Sequence, residues 1–309
     1  LVPGNVVAAT RIGDLLLESG NLAEAQAAYE AALANDPTDI SGLLGLARTL
    51  NRSATAGSGA APSAEALTPE QAASLDRAQQ LLDAALVQLA DPGSDAAQAV
   101  QIIRAELLAA QGQLTEAADA YQIVLGQDPD NATAIEGLAR TLLAAGETEE
   151  AIARYQAAAD AAETPEGINR WLMAIAATYR SLGRFDEAEQ TYLGMIEAAS
   201  GIPSEGNSAA HQALGDLYQA ANRLDEAVAQ YRLAVAAAPA DVDMAFRLGR
   251  ALLQIGQVDE AAAIAQSLLA ASPSAWQPYL LPARVALAQQ HPAAALASLR
   301  QAQNLAPTN

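Results

Sequence analysis

The chain has 309 residues, with 16 basic against 36 acidic side chains and a formal charge of −20, and all 16 bases are arginine. That charge opposes a nucleic-acid partner. The absence of Lys and Cys removes Schiff-base and phosphate-loop lysines, thiol nucleophiles, Cys-based zinc sites and disulfides. Alanine supplies about a quarter of the residues and aromatics 4%, which suits closely packed helices and not a β core. No run of about 18 apolar residues is uninterrupted, so no transmembrane segment is expected.

The sequence repeats itself. DEAVAQYRLAVAAAP at 225–239, DEAAAIAQSLLAASP at 259–273 and PAAALASLRQAQNLAP at 292–307 fall into register, and their closing Pro239, Pro273 and Pro307 stand 34 residues apart. The same period links Ala117 to Ala151, Tyr121 to Tyr155 and Gly215 to Gly249. Each 34-residue unit reads as a helix A, a tight turn, a helix B and a proline-containing exit.

In chain order, the first unit runs from Val6, with Ile12-Gly13 in helix A, a turn at Gly20, and Ala25 and Tyr29 in helix B before Pro37. The second starts at Ile40 and is split at 51–67 by a stretch rich in Ala, Ser and Gly, expected as a surface loop. Behind it, Thr68-Pro69-Glu70-Gln71 joins an N-cap threonine, a proline at the first helical position and a capping-box glutamine. The helix B that follows should therefore start early and run long. Units three, four and five start at Gln98, Ala132 and Asn169, with turns at Gly112, Gly146 and Gly183. Unit six, from Ser208, carries Leu214-Gly215, a turn at Asn222, Ala227, Tyr231 and Pro239. Unit seven, from Val242, carries Leu248-Gly249, Gly256, Ala261 and Pro273. Unit eight starts at Trp276 and places its helix B over 292–306. Eight units with insertions of 24, 3 and 5 residues account for the chain from Val6 to Asn309.

The Leu-Gly pair, the alanine twelve residues later, the aromatic four further on and the closing proline resemble the tetratricopeptide repeat (TPR) pattern; alanine replaces the glycine in units two to five and eight. The resemblance implies an all-α, right-handed superhelical solenoid of eight helix-turn-helix repeats, a single array over 6–309 that binds proteins and does no catalysis. All eight tyrosines fall on signature positions and read as packing residues.

No catalytic, cofactor-binding or metal-binding constellation emerges. His211 and His291 read as structural. Gly57-Ser58-Gly59 lacks the context of a dinucleotide fingerprint. The acidic pairs Glu149-Glu150, Asp186-Glu187, Asp225-Glu226 and Asp259-Glu260 each open a helix B, where carboxylates complement the helix dipole. The ninth position of helix A reads Asp14, Arg48, Glu106, Arg140, Ala177, Asp216, Arg250 and Arg284. Two readings follow. The arginines line a groove for acidic peptides, with Arg48, Arg140, Phe246, Arg250, Leu280 and Arg284 as candidates. Alternatively, Asp14 with Arg48, Glu106 with Arg140 and Asp216 with Arg250 form an internal charge ladder between neighbouring units, and the signs favour the ladder. The subset of the family that clamps peptide carboxylates with lysine and asparagine is not matched, since the chain has no lysine.

Both ends carry apolar residues: Leu1, Val2, Val6, Val7, Ile12 and Leu16 at one, Leu296, Leu299 and Leu305 at the other. Their burial against a second copy is the basis for reading the protein first as a structural subunit that associates head to tail into a filament. The alternative is a monomeric adaptor that binds a peptide or partner protein in its groove. Asn51 and Asn131 fit the N-glycosylation pattern. Leu1 in place of Met suggests a removed leader or an internal start, and the lack of Cys is compatible with export. Arginine in place of every lysine, with abundant alanine, suggests a GC-rich bacterial genome.

Overall fold

A computed structural model describes residues 5–56, 68–89, 91, 93–198 and 205–306, with only the backbone described at 205–207. Leu1, Val2 and most of the 51–67 insertion lie outside these residues. The described residues form sixteen α-helices and one short 3-10 turn, without a strand. The chain divides into two compact units, Leu1–Ala161 and Ala162–Asn309, where the repeat pattern alone suggests one array. The division falls near the three-residue insertion ahead of the fifth repeat, where the 34-residue spacing breaks.

In the first unit, the repeats pair α1 (Val6–Glu18) with α2 (Leu22–Asn35), α3 (Ile40–Thr55) with α4 (Pro69–Gln88), α5 (Asp95–Ala110) with α6 (Leu114–Gln127), and α7 (Ala132–Ala145) with α8 (Thr148–Ala161). In the second, they pair α9 (Pro165–Ser181) with α10 (Phe185–Ala198), α11 (Glu205–Ala220) with α12 (Leu224–Ala237), α13 (Val242–Gln254) with α14 (Val258–Ala271), and α15 (Leu280–Ala288) with α16 (Pro292–Leu305). The 3-10 turn Gln277–Tyr279 leads into α15.

Local chemistry explains where these helices start and stop. Asn5, Asp39, Ser94, Asn131, Thr164 and Asp241 each accept a backbone N–H at the start of a helix A. Thr68 and Gln71 form the expected capping box with Pro69 behind it, and α4 extends to 20 residues where the other helices B have 14. The turns at Gly20, Gly112, Gly146, Gly183 and Gly256 all have φ between +73° and +84°, and Asn222 sits at +58°, the left-handed conformation that ends a helix without a Cβ clash. In the last repeat the same place is taken by Gln290, at φ +61°.

The core is built from one knob repeated along the chain. Tyr29 is fully buried between α1 and α3 because both helices offer a glycine: a Cβ on Gly13 would fall 2.6 Å from the ring, and one on Gly45 2.2 Å. Tyr121 lies against Gly137 and Tyr231 against Gly215 in the same way, at 2.3 and 2.7 Å. In the seventh repeat the knob is Ala265, and Leu281 of α15 fills the space from the other side, reaching within 2.4 Å of where a Gly249 Cβ would lie. Large and small residues exchange sides while the volume stays filled.

One reading of the sequence is corrected here. The insertion does not begin as a loop at residue 51, because α3 continues to Thr55 and buries Asn51 within the helix, with its Oδ1 unpartnered. The Asn51 side chain is therefore buried in the helix and not presented at the surface. Asn131 is the N-cap of α7: its Oδ1 accepts from the Ala134 N–H at 3.1 Å, and its Nδ2, the atom a glycan would occupy, donates to Asp128 and Gln98. Attachment there would compete with these two Nδ2 hydrogen bonds.

Gly45→Ala tests the knob. Alanine is the better helix former by about 1 kcal/mol, yet overpacking against Tyr29 should lower stability by about 1–3 kcal/mol net. In thermal unfolding, the Tyr29→Leu, Gly45→Ala double variant should lose less than the sum of the singles.

Candidate functional site: the helix-A face

The tyrosine knobs also decide the fate of the acids at the ninth position. The Tyr29 hydroxyl donates to Asp14 Oδ1 at 2.8 Å and the Tyr231 hydroxyl to Asp216 Oδ1 at 2.6 Å. Burial first, then the hydrogen bond to the carboxylate, pushes both phenols well above their usual range. Asp216 takes its ion pair from Arg247, at 3.0 Å, and Asp14 from Arg11, at 3.9 Å. The ladder read from the sequence is therefore not built: Asp216 pairs with Arg247 and not with Arg250, and Asp14 is held by Tyr29 and Arg11 and not by Arg48.

Glu106 is the third acid of that row. It is half-buried, with no hydrogen bond or ion pair among the described residues. Desolvation raises its pKa, and the nearby charges of Arg48, Arg140 and Arg52 only partly offset this. Burial first, with Glu106 adding to it and Arg140 opposing it, pushes the Tyr121 phenol up to about 12.

The consequence is a set of free cations. Arg11, Arg77, Arg154, Arg184, Arg223, Arg232 and Arg247 all form ion pairs. Among the described residues, the four ninth-position arginines, Arg48, Arg140, Arg250 and Arg284, have none. Arg52, Arg104, Arg180 and Arg300 likewise show no ion pair among the described residues, so what sets the four apart is their shared ninth position in helix A. Arg48, Arg140 and Arg284 are exposed and Arg250 is half-buried.

The second unit adds apolar surface to this row. Phe246 and Leu280, both half-buried, line a cavity of about 480 Å³ with Val242, Leu268 and Pro278. The Arg284 guanidinium stands over the Phe246 ring, 6.0 Å from its centre. The six groove candidates thus fall into two patches, Arg48 and Arg140 in the first unit and Phe246, Arg250, Leu280 and Arg284 in the second.

Other polar groups serve packing. Glu189 accepts from Arg223 at 2.7 Å and from the Tyr218 hydroxyl at 2.7 Å, while the same guanidinium stacks 4.2 Å from the Tyr218 ring. This brace ties the fifth repeat to the sixth and was not legible as a motif. His211 Nδ1 meets Gln230 at 2.8 Å. Among the described residues, no group of three His, Asp or Glu is placed to hold a metal ion, and no helix is long and apolar enough to cross a membrane.

The end residues separate. Val7, Leu296 and Leu299 are exposed; Val6, Ile12, Leu16 and Leu305 are half-buried, and Leu16 packs on the core of the first unit. Leu15, one residue away, is the exposed one; its signal in the sequence is its place at the tenth position of helix A.

Tetratricopeptide repeat models match residues 10–72, 63–132 and 213–275, with further models over 108–169 and 167–240. The chain belongs to the tetratricopeptide repeat family. TPR units generally serve as protein–protein interaction modules. Among solved structures, a TPR protein from Parabacteroides merdae ATCC 43184 is 15% identical, over 98% of this chain and 94% of that one, with a TM-score of 0.44. Pseudomonas aeruginosa PilF is 19% identical, over 70% of this chain and 94% of that one, with a TM-score of 0.45. No curated protein matches the chain.

The Glu106 environment carries a signed prediction. Its folded pKa lies above the unfolded value, so ionisation costs folding free energy once pH exceeds the folded pKa, and the cost disappears below the unfolded pKa. Glu106→Gln should therefore raise the Tm at pH 7, with the gain shrinking to nothing as pH falls below the carboxylate range. A lower Tm at pH 7 would mean that attraction to Arg48 and Arg140 outweighs burial.

Proposed function

We propose that this TPR protein is a non-catalytic interaction module that holds an acidic segment of a partner protein on its helix-A face. One observation carries the reading: Arg48, Arg140, Arg250 and Arg284 make no ion pair among the described residues of a chain with a formal charge of −20. Guanidinium groups bind carboxylates bidentately and lose less hydration than an ammonium on doing so. The surrounding negative charge excludes less specific anionic ligands, so local geometry must supply the attraction. A fluorescein-labelled twelve-residue peptide rich in Asp and Glu should bind the full chain at low salt and weaken steeply as salt is added. Replacing all four arginines with alanine should reduce affinity at least ten-fold, whereas Arg154→Ala and Arg232→Ala, which remove paired arginines, should not. Equal binding by the quadruple variant overturns the reading.

A second reading, head-to-tail self-association, is favoured by two exposures. Leu15 is 66% exposed, whereas its tenth-position counterparts Thr49, Leu107, Thr141, Leu217, Ala251 and Val285 are at most 6% exposed. Leu299 stands at the knob position and is 45% exposed, whereas Tyr29, Tyr121, Tyr192 and Tyr231 are at most 2% exposed. Both are positions that a neighbouring repeat covers inside the array; a second copy docked there would bury them as a further repeat does, and the contact would give a filament if it propagates. Light scattering at rising concentration tests this: growth abolished by Leu299→Glu or Leu15→Glu supports it, and a single monomeric size at all concentrations rules it out.

A further inference from the structure

We infer that the cavity beside Phe246 seats one large apolar side chain of the bound segment, so that the partner carries an acidic stretch interrupted by a leucine-sized or aromatic residue. The inference rests on the groove reading above and adds a determinant of specificity to it.

The cavity opens where the eighth repeat departs from the others. Pro278 and Pro282 occupy the start of its helix A, and proline both lacks an N–H and pushes the residue before it away from helical geometry. The chain responds with the 3-10 turn Gln277–Tyr279, and α15 is left with nine residues where the other seven helices A run from 13 to 17. Between this turn, the first turn of α13 and the end of α14 lies a space of about 480 Å³, within the range of ligand pockets and larger than a single side chain. Its walls are mainly apolar, with Val242, Phe246, Leu268, Pro278 and Leu280.

Charge indicates what enters. The one acid in the lining, Asp243, is engaged by Arg247 Nε at 2.7 Å. The unpaired charges nearby are both positive: Arg284, over the Phe246 ring, and Arg250, one helical turn along α13 from Phe246. An apolar side chain in the cavity therefore places its neighbouring residues beside two guanidiniums, where carboxylates are favoured and cations are repelled. Burying a large apolar side chain supplies affinity that surface ion pairs alone do not.

The test uses the full chain and three labelled twelve-residue peptides: an acidic one with a central leucine, the same with that leucine changed to glycine, and the leucine peptide with every Asp and Glu changed to Asn and Gln. The leucine peptide should bind at least ten-fold tighter than either of the others. Ala275 also lines the cavity, and Ala275→Leu, which narrows it, should bring the leucine peptide's affinity down to that of the glycine peptide while leaving glycine-peptide binding unchanged. Equal binding of the leucine and glycine peptides overturns the inference and leaves the groove reading standing. Absence of binding by both acidic peptides overturns the two together. Equal binding of the acidic and neutral leucine peptides shows an apolar pocket without charge selection, which also overturns the inference as stated.

Discussion

The phenol of Tyr231, buried in the second unit, donates to Asp216 at 2.6 Å, and in the first unit Tyr29 does the same to Asp14 at 2.8 Å. This single contact joins the packing of the protein to the chemistry of its surface. At Tyr29, Tyr121 and Tyr231 the ring fills the space that a helix-A glycine leaves, which accounts for those glycines as a volume constraint. The hydroxyl, once buried, needs an acceptor, and the ninth-position acid provides it. Asp216, while holding that phenol, also takes Arg247 of the next repeat, which leaves Arg250 without an ion pair. Arg48 and Arg250 go unpaired because the ninth-position acids next to them are engaged by Tyr29 with Arg11 and by Tyr231 with Arg247.

Charge elsewhere is consistent with this arrangement. The paired acids open the helices B, where they complement the helix dipole. Arg232 reaches Glu260 at 2.7 Å and Arg154 reaches Glu150 at 3.0 Å within that set. These are exposed pairs and contribute little to stability. On the helix-A face Glu106 is half-buried and destabilised as an anion, with Arg48, Arg140 and Arg52 nearby offsetting this only in part.

Much of the fold was legible in the sequence because its signals are local. The glycine turns, the Thr68 cap with Gln71 and the 34-residue spacing all act within one helical hairpin, where propensity and capping decide the outcome. What was missed depends on three-dimensional competition. Nothing in the row of ninth-position charges reveals that Arg247, at the sixth position of its repeat, reaches Asp216 before Arg250 does, since both lie near it and only the helix faces decide. Asn51 looked like the start of a loop because composition changes there, yet α3 continued far enough to bury it. Gln290 took a turn conformation usually left to glycine, held by the hairpin around it. The patch formed by Phe246, Leu280 and Arg284 was readable from helix periodicity, but its cavity follows from the two prolines of the eighth repeat, whose effect on helix length no repeat count registers.

The central claim is that the ninth-position arginines are held unpaired to receive carboxylates. Side-chain Nε–Hε resonances of the sixteen arginines, followed by NMR while an acidic peptide rich in Asp and Glu is added, report on it directly. The account predicts that Arg48, Arg140, Arg250 or Arg284 shift first and saturably, with Arg154, Arg223 and Arg232 unmoved. Uniform small shifts across all arginines, or saturable shifts confined to those already in ion pairs, would contradict it.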